Sequence, residues 1–512
     1  MASYPEQANR STNAADSEAV GEKIGETATT EYADREKKEP DSQILRDRHG
    51  LPLVPQPSSD PMDPLNWSPW LKGTVLAQVS LLSFTALLSA SLIAPTYVPL
   101  GEFLHEDLVT TAYVTSVFIA CAGIGSLFWI PFSNIYGRRP IYLLSLLANT
   151  AFLVASGKSK SYGEIMAMRA LNGFFAGIPL GLGSATVVDL FFSYERGRYM
   201  GIYTVMLITG GHLAPVIGGY VAKNLTWQWC FYIPSIITAA EFIIFAATVP
   251  ETLFSRAPEA LARPSKPWTE NMLMIGPRAH PTRTLHIVDF FRPAQLLLYP
   301  EVFFPTLYYA IIFTYGSILF IISSANLFRQ IYHYMPQQTG LLLGLPLTIG
   351  SLLGETSAGW VSDYISRTRA IARGGERVPE DRLLGMIPGA ILTPLGIIIE
   401  GVCLQKRTHW AGTAMGIGIA SVGYQIVTTA VYSYTAECHK PQASELGAII
   451  SFSRQLMGFT IGFYAIPLSA RIGIQNAWIT FAFISVGIYL LTVPLLFWGR
   501  KWRREIDWHK DL

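Results

Sequence analysis

The chain has 512 residues, half of them hydrophobic and only 14% charged, and its mean hydropathy is +0.32. A water-soluble protein of this size needs far more charge to cover its surface, so composition excludes a soluble globular protein. The net charge of +2 identifies no partner, and nucleic acid is not an expected one.

Residues 1–70 open the chain. The stretch "MASYPEQANRSTNAADSEAVGEKIGETATTEYADREKKEPDSQ" has no apolar core like that of a signal peptide. It is too polar and charged to bury a core and is expected to be a disordered tail. A proline- and tryptophan-containing lead-in, "DPMDPLNWSPW", brings it to the bilayer. Apolar runs of roughly 20 residues, the length needed to cross a membrane, then recur. Six fall at about 73–95, 109–132, 140–157, 163–190, 199–222 and 230–249. A polar, proline-rich stretch from Pro250 to Pro300 follows. Six more fall at about 302–325, 338–360, 384–403, 412–434, 448–468 and 476–498. The expected fold is an all-α polytopic membrane protein, with twelve transmembrane helices in two pseudo-symmetric six-helix bundles. The bundles are 71–249 and 302–498, joined by a cytoplasmic central loop at 250–301 and closed by a basic tail at 499–512.

Basic residues orient these spans. Arg138 and Arg139, Arg196 and Arg198, the run from Arg367 to Arg382 and the tail "GRKWRR" all fall on the side of the termini. Cytoplasmic loops attract positive charge, so both termini are expected in the cytosol. The four cysteines show no ligand spacing and read as small hydrophobes, with no metal expected. There is no GxxxxGK[ST], HExxH or GxSxG, so neither direct ATP drive nor an enzyme is expected, and no cofactor.

Several motifs stand in order. "SNIYGRRP" after span 2 holds Asn134, Gly137, Arg138 and Arg139, and "GWVSDYISRTR" after span 8 holds Asp363 and Arg367. The match suggests a parallel repeat, a known plan for transporters. "MRALNGFFAG" places Arg169 and Asn172 in span 4, and "VVDLFFSYERGRYMG" closes that span. "GHLAPVIGGY" in span 5 carries Gly211, Ala214, Pro215, Gly218 and Gly219. "WQWCFYI" and "VPETL" flank span 6. Together these resemble the major facilitator superfamily, and within it the fungal twelve-span drug:proton antiporter branch. The resemblance covers nearly everything from Asp60 to Trp498. Where the family's loop motif has an acid, this chain has Asn134, so a charge-based gate is expected to rest more on Asp363 and Arg367 in the second half.

The span 5 motif resembles the family's antiporter signature, which implies a strip packed against the other half of the bundle. Small residues three, four and seven apart share a helix face and allow close approach, and Pro215 bends it. His212 inside the motif reads as a hydrogen-bonded bystander, with a minor reading as a proton site. The resemblance implies that Arg169 takes part in proton coupling, with Asn172 one turn on. Glu355, in "GSLLGETSAGW", is the best carboxylate for binding and releasing a proton in apolar surroundings. Asp189 reads as structural, and Glu241 and Glu400 as weaker candidates. Arg454 has two open readings, snorkelling to the surface or substrate contact.

The family also implies a cavity lined by spans 1, 4, 7 and 10. Spans 7 and 10 offer Tyr308, Tyr309, Tyr315, Tyr424, Gln425 and Tyr432, suited to a bulky, partly apolar ligand. The function these readings favour is a proton-coupled secondary transporter exporting drugs or secondary metabolites across the plasma membrane by alternating access. Its partners would be a small organic solute, protons and the lipid bilayer, and it would act as a monomer. Two alternatives remain: a proton symporter importing a polyamine or other nutrient, and a non-transporting membrane sensor.

Overall fold

The computed structural model describes residues 55–254, 285–373, 378–439 and 442–505. The expectations for the opening tail and for most of the central loop lie outside these residues. Among the described residues, twelve helices are long and apolar enough to cross a membrane. They are α1 (Pro69–Leu104), α2 (Leu108–Tyr136), α3 (Arg138–Lys158), α4 (Tyr162–Leu190), α5 (Glu195–Asn224) and α6 (Trp229–Thr248), then α7 (Pro300–Ser323), α8 (Pro336–Gly359), α9 (Asp381–Gln405), α10 (Trp410–Cys438), α11 (Glu445–Ile472) and α12 (Ile474–Trp502). With twelve crossings, α1 begins and α12 ends at the same end of the bundle, here the terminal end; the other is the far end.

Local chemistry sets the helix ends. Ser68 Oγ accepts the N–H of Leu71 at 3.3 Å, with Pro69 in the first turn. Ser161 Oγ accepts the N–H of Glu164 at 3.3 Å, and Glu164 accepts the N–H of Lys160 at 2.8 Å, a reciprocal cap. Two differences from the sequence expectation concern length. The first span continues past 95: α1 breaks after Ser91, passes through a 3₁₀ turn at Ala94–Thr96 that contains Pro95, and resumes at Tyr97–Leu104. The helix that carries α8 runs on to Ala372, well beyond its apolar part. Polar side chains do not end a helix once it leaves hydrocarbon, so hydropathy marks the membrane boundary and not the helix boundary. A short helix, Val288–Gln295, lies in the described part of the central loop.

The two halves repeat one arrangement. Helix α2 packs on α4 and α3 on α6; equivalently, α8 packs on α10 and α9 on α12. Burial repeats too. In α1, α4, α7 and α10 the buried share of the apolar window is 72%, 78%, 94% and 67%; in α3, α6, α9 and α12 it is 44%, 39%, 50% and 28%. Four helices are therefore central and four face outward with apolar side chains such as Ile243, Ile391 and Phe483, as lipid permits. The halves meet along two seams, α2 against α11 and α5 against α8, which the repeat makes equivalent.

Candidate functional site

At the terminal end, Gly137 joins α2 to α3 with φ of 104° and ψ of 159°, a region essentially limited to glycine. The turn aims two backbone N–H groups at one carboxylate: Glu251 accepts from Arg138 at 2.9 Å and from Arg139 at 3.0 Å. Burial pushes the Glu251 carboxyl above the usual carboxylate range, while the N–H groups of Leu253, Arg138 and Arg139 pull it back. The guanidinium of Arg139 donates to the carbonyls of Val249 and Ala246 at 2.7 and 2.6 Å. Arg138 Nε meets Asp189 at the end of α4 at 2.5 Å. Asn134 lies away from this pair, beside Asp289, Arg292 and Glu445 in a crevice where the central-loop helix meets α2 and α11.

The second half repeats the pairing of a basic residue with the next helix's end: Arg382, opening α9, meets Glu437 near the end of α10 at 3.0 Å. Arg369 and Arg373 reach the buried Asp381 at 3.4 and 2.8 Å. Asp363 and Arg367 sit on the helical extension of α8, but their side chains lie outside the described residues. Gly137→Ala would strain the backbone and push a methyl into Glu251. We expect a loss of about 1–3 kcal/mol, read as a lower thermal midpoint of the purified protein, with the terminal-end latch loosened.

From the middle of the bundle towards the far end, the small residues of α5 serve two neighbours. A methyl on Gly218 would collide with the backbone of Leu92 in α1, whereas one on Gly219 would come 2.6 Å from the carbonyl of Pro336 in α8. A methyl on Gly340 of α8 would in turn meet the carbonyl of Pro215. Ala214 is fully buried, and Gly211 faces Leu87 of α1. Successive helix positions lie about 100° apart, so adjacent glycines serve two helices and the strip is broader than one face. His212 ties the halves together: Nδ1 lies 2.7 Å from Ser351 Oγ of α8 and Nε2 lies 3.0 Å from Ser317 Oγ of α7. Ser317 reaches it from a single π turn, Thr314–Ile318, a device common at functional sites.

Arg169 of α4 is 0% exposed. It donates to the carbonyls of Ser89 and Ala90 at 3.1 Å, to that of Val114 at 3.3 Å and to Asn172 Oδ1 at 3.0 Å. Its guanidinium lies 4.5 Å from the Phe118 ring centroid. Asn172 passes the chain to Asn149 at 2.9 Å. The two α1 carbonyls belong to the last turn before its break, where helical partners are lost. Arg169 thus stands in for those missing donors. Glu355 sits towards the other end of the bundle, accepting from Gln425 Nε2 at 2.6 Å and Thr429 Oγ1 at 2.7 Å, with Gly201 of α5 beside it. Arg169 and Glu355 lie in different halves and share no hydrogen bond. Glu241 accepts from Thr85 at 2.6 Å and Glu400 from Trp478 Nε1 at 2.7 Å, each inside one half.

Between the seams lies a cavity. Its lining includes His212, Phe313, Ser317, Tyr424, Arg454 and Gln455, with apolar side chains of α1, α2, α5 and α7. Tyr309 and Tyr432 line a second space nearby, with Tyr203 and Thr428. Tyr308 and Tyr315 face elsewhere: Tyr308 packs on Tyr489 with centroids 5.3 Å apart, and Tyr315 stacks on Phe481 at 4.9 Å. Residues seven apart share a helix face while adjacent ones do not, which separates Tyr308 and Tyr315 from Tyr309. Gln425 is a partner of Glu355. Arg454 is 1% exposed, so of its two readings snorkelling falls.

The model of the Major Facilitator Superfamily matches residues 79–463. The chain belongs to the major facilitator superfamily. Its relatives include the MFS-type transporter paaT of Penicillium rubens, 29% identical over 455 residues, covering 87% of this chain and 81% of that protein. The efflux pump radE of Floropilus chiversii is 27% identical over 459 residues, covering 87% and 83%. Among solved structures, the human organic anion transporter MFSD10 (TETRAN) superposes with a TM-score of 0.56 at 16% identity, covering 83% of this chain and 100% of that one; this likeness concerns the fold alone.

As a member of the superfamily the chain is a multi-pass membrane transporter of small organic solutes. The cavity departs from the expected lining by spans 1, 4, 7 and 10. Its larger space takes side chains from α2, α5 and α11 as well and none from α4, which reaches only the second space through Leu180 and Ser184. The reason lies in the glycines of α4: methyls on Gly173, Gly177 and Gly181 would collide with the backbone of α2, so that helix spends its small face on its neighbour. Sequence reasoning left Glu251 without a role although it quoted "VPETL", and that acid inside an apolar-flanked motif was the available signal.

Proposed function

We propose that this member of the superfamily is a proton-coupled exporter of small organic molecules, working by alternating access in the plasma membrane with both termini in the cytosol. It acts as a monomer and exchanges solute for protons. The observation that carries this reading is the pair of equivalent seams closing on a cavity near the middle of the bundle, with His212 spanning from one half to the other. Rocking the halves about that site exposes it to each side in turn. The relatives named as efflux pumps support the direction.

Glu355 is the proton carrier in this reading. Its partners Gln425 and Thr429 are neutral, and it borders α5 at a seam, where loading it with a proton changes the charge that the seam must bury. Arg169 and Asn172 support the cycle by holding the break of α1. The Gly137 turn with Arg138, Arg139 and Glu251, and the pairs around Asp381 and Glu437, latch the terminal end; Asp363 and Arg367 belong to the same latch. Tyr309, Tyr424 and Tyr432 contact the solute. Polyamine import is disfavoured because the cavity is lined by an arginine and by no acid.

Reconstitution in proteoliposomes with an imposed pH gradient tests this. Solute and protons are expected to move in opposite directions. Movement in the same direction would replace export by symport, and no gradient-driven movement of any organic solute would remove the proton coupling.

A further inference from the structure

We propose that Arg454 and Gln455 of α11 recognise a carboxylate on the transported solute, so that the cargo is an organic acid carried as its anion. This rests on the reading of the central cavity as the transport site and adds the chemical class of its occupant.

Among the described residues, two arginines, Arg169 and Arg454, are fully buried in the apolar core, and they are treated differently. Arg169 spends its N–H groups on three carbonyls and an asparagine. Arg454 leaves Nε and Nη1 buried with no hydrogen-bond partner. Both amide atoms of Gln455 are likewise buried and unpartnered. The two side chains line the same cavity. An arginine stays charged in any protein environment, and a buried charge with no counter-ion is strongly disfavoured. No aspartate or glutamate lines this cavity and none forms a salt bridge with Arg454 among the described residues. The Phe313 ring centroid lies 4.8 Å from the guanidinium carbon. Nε and Nη1 lie on different edges of the guanidinium, so each offers a carboxylate oxygen a single charge-assisted hydrogen bond. Gln455 adds an amide donor beside it.

The rest of the cavity fits the remainder of such a molecule. Leu87, Ile119, Ile208, Ile318 and Ile321 supply apolar wall, and Tyr424 an aromatic face. His212 keeps both ring nitrogens on serines of the other half, so an anion at Arg454 would sit where the two halves are pinned together. A cation would face the guanidinium's like charge, with no carboxylate in the cavity lining to offset it.

The full chain in phosphatidylcholine nanodiscs is titrated calorimetrically with three probes of one shape: 2-naphthoate, 2-naphthamide and 2-naphthylmethylammonium, with benzoate as a smaller acid. An acid is expected to bind about tenfold or more tightly than the amide, and the ammonium weakest. Arg454→Gln should remove that preference, so that acid and amide bind alike, while Arg454→Lys keeps part of it through charge alone. If Arg454→Gln does not yield folded protein, Gln455→Leu reads the same site and should weaken acids and spare the ammonium. Acids that bind no better than the amide, or not at all, overturn the proposal, as does a preference that survives Arg454→Gln. Proteoliposomes separate this from the export reading. Acid preference in binding without gradient-driven movement leaves the site standing and sinks proton-coupled export. Gradient-driven movement of the ammonium probe, indifferent to Arg454→Gln, does the reverse.

Discussion

Glu355→Gln is expected to abolish pH-gradient-driven transport while leaving solute exchange between the two sides intact. Glutamine keeps the size and still accepts a hydrogen bond from Thr429, but it cannot gain or lose a proton. A carrier locked in the neutral form can still rock with solute bound. It loses the step by which protons bias which side is open. The separation between the two readouts carries the prediction: gradient-driven flux should fall to background, and counterflow should persist within about an order of magnitude. Loss of both would indicate a folding role for the Gln425–Glu355–Thr429 cluster, and retention of both would move the proton elsewhere, with Glu241 the next acid to test.

Arg169→Ala should be the most damaging single change in the first half. It strips the donors from the carbonyls of Ser89, Ala90 and Val114. Buried acceptors left unsatisfied cost about 1–3 kcal/mol each. The apolar runs that direct insertion are untouched, so the protein should still reach the membrane. We expect a lower thermal midpoint and no coupled transport. Arg169→Lys should recover little, because a point charge cannot reach three carbonyls and an amide from one plane. Wild-type stability and flux in Arg169→Ala would mean that the break in α1 holds itself.

The fold was legible because lipid is a demanding solvent. Backbone groups cannot be left unpaired in hydrocarbon, so each crossing had to be a continuous apolar run of about 20 residues, and the twelve runs stood out. The glycines and proline from Gly211 to Gly219 were legible as a packing strip for the same reason. Which neighbours they serve was not, because Gly218 and Gly219 are adjacent in sequence and face different helices.

The site was less legible. Arg138 finds Asp189 and Glu251 across 51 and 113 residues, and no local pattern links them. Arg454 lies in an apolar run in either of its readings; only folding shows that its face points inward. The tyrosines of span 7 divide by helical period, and Tyr309 was separable from Tyr308 and Tyr315 on that ground alone. Glu355 and Gln425 were each named from sequence for different roles, and the structure joins them in one hydrogen bond at 2.6 Å.

Alternating access is the claim on which the rest depends, and two distances test it directly. Spin labels at Leu225 and Trp410 report the far end across the two halves, and labels at Tyr136 and Tyr364 report the terminal end; all four positions are exposed. Pulsed electron–electron resonance in nanodiscs, over a range of pH with and without 2-naphthoate, should show one distance lengthening as the other shortens. Two distances that stay fixed under every condition would contradict the mechanism.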